Sequence, residues 1–448
     1  MELKDIFLTL LYLPFIYIAA IIYRRKQSNS ITKKYFLPAL SVKIFGAISL
    51  GLIYQFYYGG GDTYNYFRDT TPIWDAFLEN PIIALKIIFS NNATDPETYA
   101  YTHRIYYIID EHSYPVVQFA GFLSLFTFHT YTLVAIFFAL FCFSGMWAFY
   151  KALYDMYPKL HKQFAIAVFF IPSVFFWGSG LMKDTITLGA LGWLFNAIYF
   201  AFIKRKKIII NIVILIIAMI IIEKIKVYIL LSFLPPAFLW IFLQYRSKIK
   251  SALVRFISLP FIIALAVPAS YLAVTKLTEE NSKYKFENIA FSTRESAEWL
   301  LYVSNSQGGS SYSLGEFDGT IGNLFLKLPQ AIFVTLYRPF IWEAKNPVMF
   351  LSAIEAFVFL FMTLRIIWEI KFIRLLRLIQ KHPIIIFCLL FTLIFSFGVG
   401  VTSYNFGTLV RYKIPMMPFF LSALFIIRNI GKAPTRQSKR VKKFTEFA

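Results

Sequence analysis

The chain has 448 residues, of which 58% are hydrophobic, 19% are aromatic and only 15% are charged. Because a soluble protein of this size carries about 25% charged residues, the composition excludes an ordinary soluble domain and predicts an all-α integral membrane protein. The formal charge of +21 does not indicate nucleic-acid binding, because Lys and Arg cluster in short connectors between apolar runs. That pattern is typical of cytoplasmic loops facing anionic lipid head groups.

The apolar runs predict a single polytopic domain over residues 1–448 with about eleven membrane-spanning helices, each near the ~20 residues that cross a bilayer. The first run, IFLTLLYLPFIYIAAIIY, lacks the basic region and cleavage site of a signal peptide, so we expect it to be retained as a helix. The predicted spans are residues 6–23, 36–57, 130–150, 163–181, 184–203, 207–222, 227–245, 253–274, 347–367, 383–403 and 412–428.

The connectors between these spans predict the topology. Basic loops and the basic tail 429–448 are expected in the cytoplasm, with the N-terminus outside, in the inner (plasma) membrane. Two long outer loops, 58–114 and 275–346, hold most of the acids. The first carries the amphipathic segment PIWDAFLENPIIALKIIF, typical of an interfacial helix, and leads into a short apolar element over 115–128. Any chemistry is therefore expected on the outer face.

The first outer loop opens with YGGGDTYNYFRDT at residues 58–70. The glycines allow close approach of a ligand, and the carboxylate of Asp62 is suited to act as a general base or to hold a divalent cation. Tyr64, Tyr66 and Arg68 would form a rim on which a sugar or phosphate stacks or pairs. The alternative is a flexible turn with a solvated acid.

The segment WGSGLMKDTITLGALGW, residues 177–193, places Lys183 and Asp184 between two apolar stretches. Ionised groups in such a setting usually face a cavity or one another, and Asp184 lies near a helix N-terminus, where anions are favoured. The alternative is a self-paired Lys–Asp turn.

Cations on the predicted outer side break the positive-inside trend. Lys224 and Lys226 lie in the short turn IIEKIKVY, and two arginines follow later in the chain. Arg338 lies in VTLYRPFIWEAKNP, and Arg411 with Tyr412 begins RYKIPMMPFF. Arginine binds phosphate with a bidentate fork, whereas the alternative is snorkelling toward lipid phosphates. We expect Asp62, Asp184 and Arg411 to converge on one outward-facing cavity.

The order of these motifs resembles the polytopic GT-C glycosyltransferases, including bacterial members similar to protein mannosyltransferases and aminoarabinose transferases. GGGDTYNYF is similar to the first outer loop of that superfamily, IPSVFFWGSGLMKDTITLGAL to its Asp-initiated helix, and RYKIPMMPFF to a late Arg-Tyr-x-x-Pro helix start. The resemblance covers the first 205 residues best. It departs from many members in having Thr63, not a second acid, after Asp62, and in lacking a large soluble C-terminal domain.

The resemblance implies transfer of a sugar from a polyprenyl-phosphate-linked donor to a glycan or lipid acceptor during cell-envelope assembly. Asp62 would activate the acceptor, and Asp184 would orient the donor. Arg411 and Lys183 would hold its phosphate, and Mg²⁺ or Mn²⁺ bound by Asp62 and Asp184 is an optional cofactor. Two other functions stay open. A polysaccharide polymerase would depend chiefly on Arg338 and Arg411, and a transporter or flippase would place charges near mid-membrane.

Overall fold

A computed structural model of the chain describes residues 2–246, 289–306, 309–316 and 318–432. These residues are predominantly helical and contain no β-strand. The α-helices, numbered in chain order, are α1 (Leu3–Gln27), α2 (Lys33–Phe56), α3 (Asp62–Arg68), α4 (Thr71–Glu79), α5 (Pro81–Phe89), α6 (Tyr99–Thr102), α7 (Tyr114–Phe126), α8 (Tyr131–Met156), α9 (His161–Phe169), α10 (Pro172–Trp177), α11 (Lys183–Ile198, continued by the π-helix Tyr199–Ile203), α12 (Ile208–Arg246), α13 (Ile289–Ser306), α14 (Ile321–Leu326), α15 (Leu328–Tyr337), α16 (Pro347–Ile370), α17 (Phe372–Lys381), α18 (Pro383–Ser403), α19 (Phe406–Tyr412) and α20 (Met417–Lys432).

Seven of the described helices are long and apolar enough to cross a membrane, namely α1, α2, α8, α11 with its π-helix, α12, α16 and α18. The pair α19 and α20, bent by 66°, makes eight if it counts as one span. The protein is therefore a multi-pass helical membrane protein, whereas the predicted count of about eleven spans is not confirmed. The predicted span 253–274 and the basic residues 433–448 lie outside the described residues.

The predicted span 163–181 is not one helix, which corrects the sequence analysis. It consists of α9 and α10, separated at Ile171, whose backbone is extended with φ −74° and ψ 122°. Pro172 explains the break, because a proline disfavours the helical conformation of the residue before it. Residues 178–182 are non-helical as well, so the chain reaches Lys183 through a tight turn.

Helix α12 folds back on itself at Lys226, whose φ of −148° and ψ of 72° are non-helical. A straight helix of 39 residues would be about 58 Å long. However, Nε of Arg205, just before the helix, donates to the hydroxyl of Tyr245, near its end, at 3.0 Å. The two ends therefore meet, and the arms on either side of Lys226 correspond to the predicted helices 207–222 and 227–245.

Helices α8 and α11 form the centre of the bundle, and most of their membrane-length segments are buried. They approach closely because a side chain at Gly145 would overlap the backbone of Gly189, and one at Gly192 would overlap that of Gly145. Small residues at such contacts are typical of helix pairs in membranes. This packing puts the first turn of α11, with Lys183 and Asp184, in the middle of one end of the bundle.

The two ends of the bundle differ in charge. At one end Lys151 donates to Gln27 at 2.7 Å, and Lys204 pairs with Asp155 at 2.7 Å. Lys204 belongs to the basic connector after α11, and Gln27 ends α1 next to Arg24, Arg25 and Lys26. The other end carries the glycine-rich loop after α2. On the positive-inside rule the basic end is cytoplasmic, and this orientation stays a prediction.

Candidate functional site

Four ionised side chains meet at the end of the bundle that carries the glycine-rich loop. Asp62 begins α3, Asp184 lies in the first turn of α11, Arg411 lies in the last turn of α19, and Lys226 forms the break in α12. All four therefore lie where a helix begins, ends or breaks. We call Asp62, Asp184, Lys226 and Arg411 the charge cluster.

Arg411 bridges the two acids of the charge cluster. Its Nη1 donates to Oδ2 of Asp62 at 2.7 Å, and its Nε donates to Oδ2 of Asp184 at 2.7 Å. These three residues come from distant parts of the sequence, and their side chains meet as expected. The outward-facing cavity around them stays a prediction. A guanidinium group has five N–H donors, so donors remain on Arg411 beyond the two that these bonds use.

The two acids differ sharply in exposure. The side chain of Asp62 is 46% exposed, whereas that of Asp184 is 1% exposed. The second oxygen of Asp184 accepts a hydrogen bond from Nζ of Lys226, so both of its oxygens are engaged. Asp184 was predicted to orient the donor directly. Its burial assigns it instead to holding Arg411 and Lys226 in place.

Lys226 is the member of the cluster that sequence reasoning did not select. It is only 8% exposed, and its Nζ lies 4.8 Å from the centre of the Tyr412 ring. Such a cation–π contact helps to offset the cost of burying an ammonium group. One face of Tyr412, a predicted substrate contact, is therefore occupied by Lys226. The sequence signal was a lysine in a short turn on the outer side, against the positive-inside trend.

Lys183 points toward a second acid, Asp110, whose Oδ2 lies 3.9 Å from the lysine Nζ. Asp110 also accepts hydrogen bonds from the backbone N–H groups of His112, at 2.9 Å, and of Ser113, at 3.2 Å. Burial by itself would raise the pKa of Asp110, but the Ser113 side chain and the charge of Lys183 outweigh it and lower the pKa below 3.8. Asp110 thus ties the first outer loop to the start of α11.

The glycine-rich loop turns the chain from α2 into α3. Gly59, Gly60 and Gly61 have φ values of +71°, +134° and +129°, which glycine adopts far more readily than other residues. A side chain at Gly61 would overlap the ring of Tyr54, whereas Gly59 and Gly60 face open space. The loop therefore leaves room beside Asp62, as predicted for a substrate approach.

The predicted aromatic rim is in a different place. Tyr64 stacks on Tyr131 with 4.3 Å between ring centres, and its hydroxyl donates to the carbonyl of Gly51 at 3.2 Å. Tyr66 is 3% exposed and packs on Tyr107. Tyr66 therefore has no ring face free for a ligand, which corrects its assignment as a binding residue, and Tyr64 serves mainly to anchor α3.

The exposed rings near Asp62 come from the end of α2. Tyr57 is 54% exposed and Tyr58 is 47% exposed. Tyr58 packs on Tyr54, with ring centres 5.3 Å apart, and Tyr54 in turn lies against Gly61. Arg68 is exposed, as its predicted role requires. The exposed aromatic rings beside the loop therefore belong to tyrosines before the glycines, not to Tyr64 and Tyr66.

Arg338 has contacts of its own outside the charge cluster. It forms a two-bond ion pair with Glu343, one bond being 3.0 Å from Nε to Oε2, and it lies 5.2 Å from the ring centre of Phe406. It also lines a largely apolar cavity of about 640 Å³ together with Phe333 and Phe340. Its predicted phosphate-binding role would require Glu343 to release it.

Two buried charges that sequence reasoning missed hold the short helix α10. At its N-terminus, Glu355 of α16 accepts from the backbone N–H of Ser173 at 2.8 Å and from its hydroxyl at 2.6 Å. After its C-terminus, Nζ of Lys43 donates to the carbonyl of Gly178 at 2.7 Å. These charges complement the helix dipole, and they fix the turn that leads into Lys183. A lone charge within an apolar run was the available signal.

Lys413 is a third buried charge that holds a helix end, here the C-terminus of α15. Its Nζ donates to the carbonyl of Thr335 at 3.2 Å and to that of Arg338 at 3.4 Å, at the C-terminus of α15. Lys413 is 1% exposed and follows Arg411 by two residues. It therefore anchors the bend between α19 and α20 and fixes the direction from which Arg411 enters the cluster.

A divalent cation does not fit this arrangement. Among the residues that the structure describes, no group of three or more His, Cys, Asp or Glu side chains could hold a metal ion. Asp62 and Asp184, the predicted optional ligands, share the guanidinium of Arg411 between them. A cation bridging these carboxylates would have to displace Arg411 and would lie beside Lys226 as well. The side chains of the charge cluster therefore assign no role to a metal ion.

Comparison of the chain with models of protein families, with curated proteins and with solved structures gave no match.

Proposed function

We propose that this protein is a membrane glycosyltransferase that moves a sugar from a polyprenyl-phosphate-linked donor to an acceptor hydroxyl, in cell-envelope glycan assembly. The observation that carries the proposal is the pairing of a half-exposed carboxylate, Asp62, with Arg411, which the buried Asp184 holds from behind. A base and an anion-binding group would thus lie side by side, at the end of the bundle that carries the glycine-rich loop.

In the proposed reaction, Asp62 accepts the proton of the acceptor hydroxyl as its oxygen forms a bond to the anomeric carbon of the sugar. The bond between that carbon and the donor phosphate breaks, and the lipid phosphate leaves with the electron pair. Arg411 and Lys183 are positioned to stabilise the charge that develops on the phosphate. Lys183 is 18% exposed, so its ammonium group is accessible from the loop side.

Exposed rings and open backbone support an acceptor or sugar site next to Asp62. Tyr57 and Tyr58 are about half exposed, and Gly59 and Gly60 face open space. The lipid part of the donor would lie against the exposed apolar side chains of the surrounding helices. With the basic connectors inside, the site would face the periplasm or cell exterior.

The test uses the full-length protein, purified and reconstituted in liposomes, with a panel of radiolabelled polyprenyl-phosphate sugars. Asp62→Asn keeps an oxygen that can accept from Arg411 but removes the base. We expect transfer to fall by about 10²–10⁴-fold, the usual contribution of a general base. Asp75→Asn is the matched control, because Asp75 lies in the same outer loop and pairs with Arg104 at 2.6 Å.

The proposal is wrong if Asp62→Asn transfers sugar within a few-fold of the wild-type rate while Asp75→Asn does the same. Thermal unfolding of both variants in detergent distinguishes a lost base from a lost fold.

A polysaccharide polymerase is the second candidate, and the central position of Arg411 favours it. Arg411 and Lys183, which are both partly exposed, would suit two lipid-linked phosphates as well as one. The products separate the two functions. A transferase adds one sugar per acceptor, whereas a polymerase incubated with lipid-linked oligosaccharides gives a ladder of repeat units.

A further inference from the structure

Helix α17 (Phe372–Lys381) lies at the end of the bundle opposite the charge cluster. Helix α20 follows Arg411 in the chain and runs away from the cluster to Lys432. Nζ of Lys432 lies 3.2 Å from Oε2 of Glu369, in the last turn of α16 immediately before α17. Helix α17 therefore belongs to the basic end.

With about 3.6 residues per turn, α17 has three sides of different character. One side packs on the bundle through Leu375, Leu378 and Ile379. The next side is apolar yet exposed, with Phe372 at 61%, Ile373 at 66% and Leu376 at 44%. The third side is basic and exposed, and it consists of Arg374, Arg377 and Lys381.

These three sides match the layers at a membrane surface. A helix that joins two spans at the membrane boundary has protein on one flank. The acyl region lies below it and the head groups lie beside and above it. The exposed apolar side of α17 must lie in the acyl region of the membrane, because Phe372 and Ile373 would otherwise face water. The basic side then lies at the level of the lipid phosphates.

The residues next to α17 carry more positive than negative charge. Glu369 already pairs with Arg365 at 2.7 Å, Arg428 at 3.4 Å and Lys432 at 3.2 Å. Ion pairs between described residues do not include Arg374, Arg377 or Lys381. The exposed cations of α17 are therefore available to an anionic ligand.

We propose that α17 lies in the membrane surface and binds the head groups of anionic phospholipids through Arg374, Arg377 and Lys381. The acyl chains of those lipids pack on Phe372, Ile373 and Leu376. This surface is independent of the proposed glycosyl transfer, since it lies at the other end of the bundle.

The experiment measures lipid binding to the full chain in detergent by native mass spectrometry, with phosphatidylglycerol as the anionic probe and phosphatidylcholine as the neutral one. The triple variant Arg374→Gln, Arg377→Gln, Lys381→Gln should bind phosphatidylglycerol at least about tenfold more weakly, because each cation contributes to attraction by an anionic surface. Its binding of phosphatidylcholine should not change. Replacing Arg374 and Arg377 by Lys should keep the preference for phosphatidylglycerol.

The matched control removes three cations from the same end, with Arg24→Gln, Arg25→Gln and Lys26→Gln in the last turn of α1. It should weaken binding less than the α17 variant does, because α1 crosses the membrane instead of lying in its surface. A wild-type protein without preference for phosphatidylglycerol, or equal losses in the two triple variants, overturns the proposal. Spin labels at Leu376→Cys and Arg377→Cys give a second test in single substitutions. The label at position 376 should be accessible to oxygen dissolved in the acyl region, and the label at position 377 to a water-soluble relaxant. Equal accessibility of the two labels to both relaxants contradicts the proposed placement.

Discussion

Nε of Arg411 lies 2.7 Å from Oδ2 of Asp184, although the two residues are 227 positions apart in the chain. The contact joins the end of α19 to the start of α11, the central helix of the bundle. Because Asp184 is almost fully buried, its charge requires partners, and Arg411 and Lys226 supply them. Arg411 is therefore both a structural counter-ion and the cation nearest to the exposed Asp62.

Removing Arg411 should destabilise the fold as well as abolish activity. We expect Arg411→Gln to lower the free energy of unfolding by about 3 kcal/mol, because it leaves a buried carboxylate with one cation. The double variant Arg411→Gln with Asp184→Asn should be more stable than the sum of the single effects predicts, as expected for residues in contact. Thermal or denaturant unfolding in detergent measures both effects.

The control for this prediction is Arg294→Gln, which removes an exposed pair with Glu298. Such pairs contribute little, so a change under about 0.5 kcal/mol is expected. A similar loss in both arginine variants, or additive effects at Arg411 and Asp184, would contradict the assigned coupling.

The N-terminus of α10 gives a second prediction. Glu355→Gln keeps an oxygen that accepts from the backbone N–H of Ser173, so we expect a loss of no more than about 1 kcal/mol. Glu355→Leu leaves that N–H without a partner in an apolar interior, and should cost about 2–3 kcal/mol. The measurement compares the free energies of unfolding of the two variants under the same conditions. If Leu is tolerated as well as Gln, Glu355 does not cap α10.

The membrane-spanning helices could be predicted from the sequence, except where a span is broken. Long apolar runs predicted the spans α1, α2, α8, α11, α16 and α18, because hydropathy reports the cost of polar groups in lipid. It failed at 163–181, because a broken helix is as apolar as a continuous one. Pro172 was the signal of the break, and its consequence for Ile171 is local chemistry that a hydropathy window averages away.

The site was predictable only in part. Asp62, Asp184 and Arg411 were recognisable as charges at the ends of apolar runs, and they meet in the structure. Lys43 and Glu355 were not selected, because their role depends on which helix end faces them. Tyr66 was assigned to the rim because its ring could stack on a sugar, yet the orientation of α3 turns it inward. Contacts between distant segments decide these roles, and local sequence does not contain them.

The contact of α8 with α11 yields a prediction with an internal control. A side chain at Gly145 would overlap the backbone of Gly189, so Gly145→Ala should force the helices apart and cost at least about 2 kcal/mol. Gly398 lies in helix α18 with open space around it. Gly398→Ala should instead be neutral or stabilise the protein by up to about 1 kcal/mol, because Ala favours helix. The expected result is a loss of stability in Gly145→Ala and no loss in Gly398→Ala.

The Asp110 carboxylate predicts a pH dependence of stability. Its pKa in the folded protein is lowered below 3.8, so it stabilises the fold when ionised in both states, above that value. This contribution is lost as the pH falls through the pKa of the folded state. We therefore expect wild type to be more stable than Asp110→Asn at about pH 6, and the difference to shrink as the pH falls below 3.8. A difference that is constant with pH would show that the charge of Asp110 is irrelevant.

The orientation of the bundle can be tested with introduced cysteines, because Cys142 and Cys388 are buried. Arg68 is exposed beside the charge cluster, and Lys159 is exposed in the connector after α8, at the basic end. In intact cells, a membrane-impermeant maleimide should label Arg68→Cys but reach Lys159→Cys only after permeabilisation, because basic connectors stay in the cytoplasm. The reverse pattern would put Asp62 and Arg411 on the cytoplasmic side. A donor presented at the outer surface would then be out of their reach, and the proposed reaction would have to draw on a cytoplasmic donor.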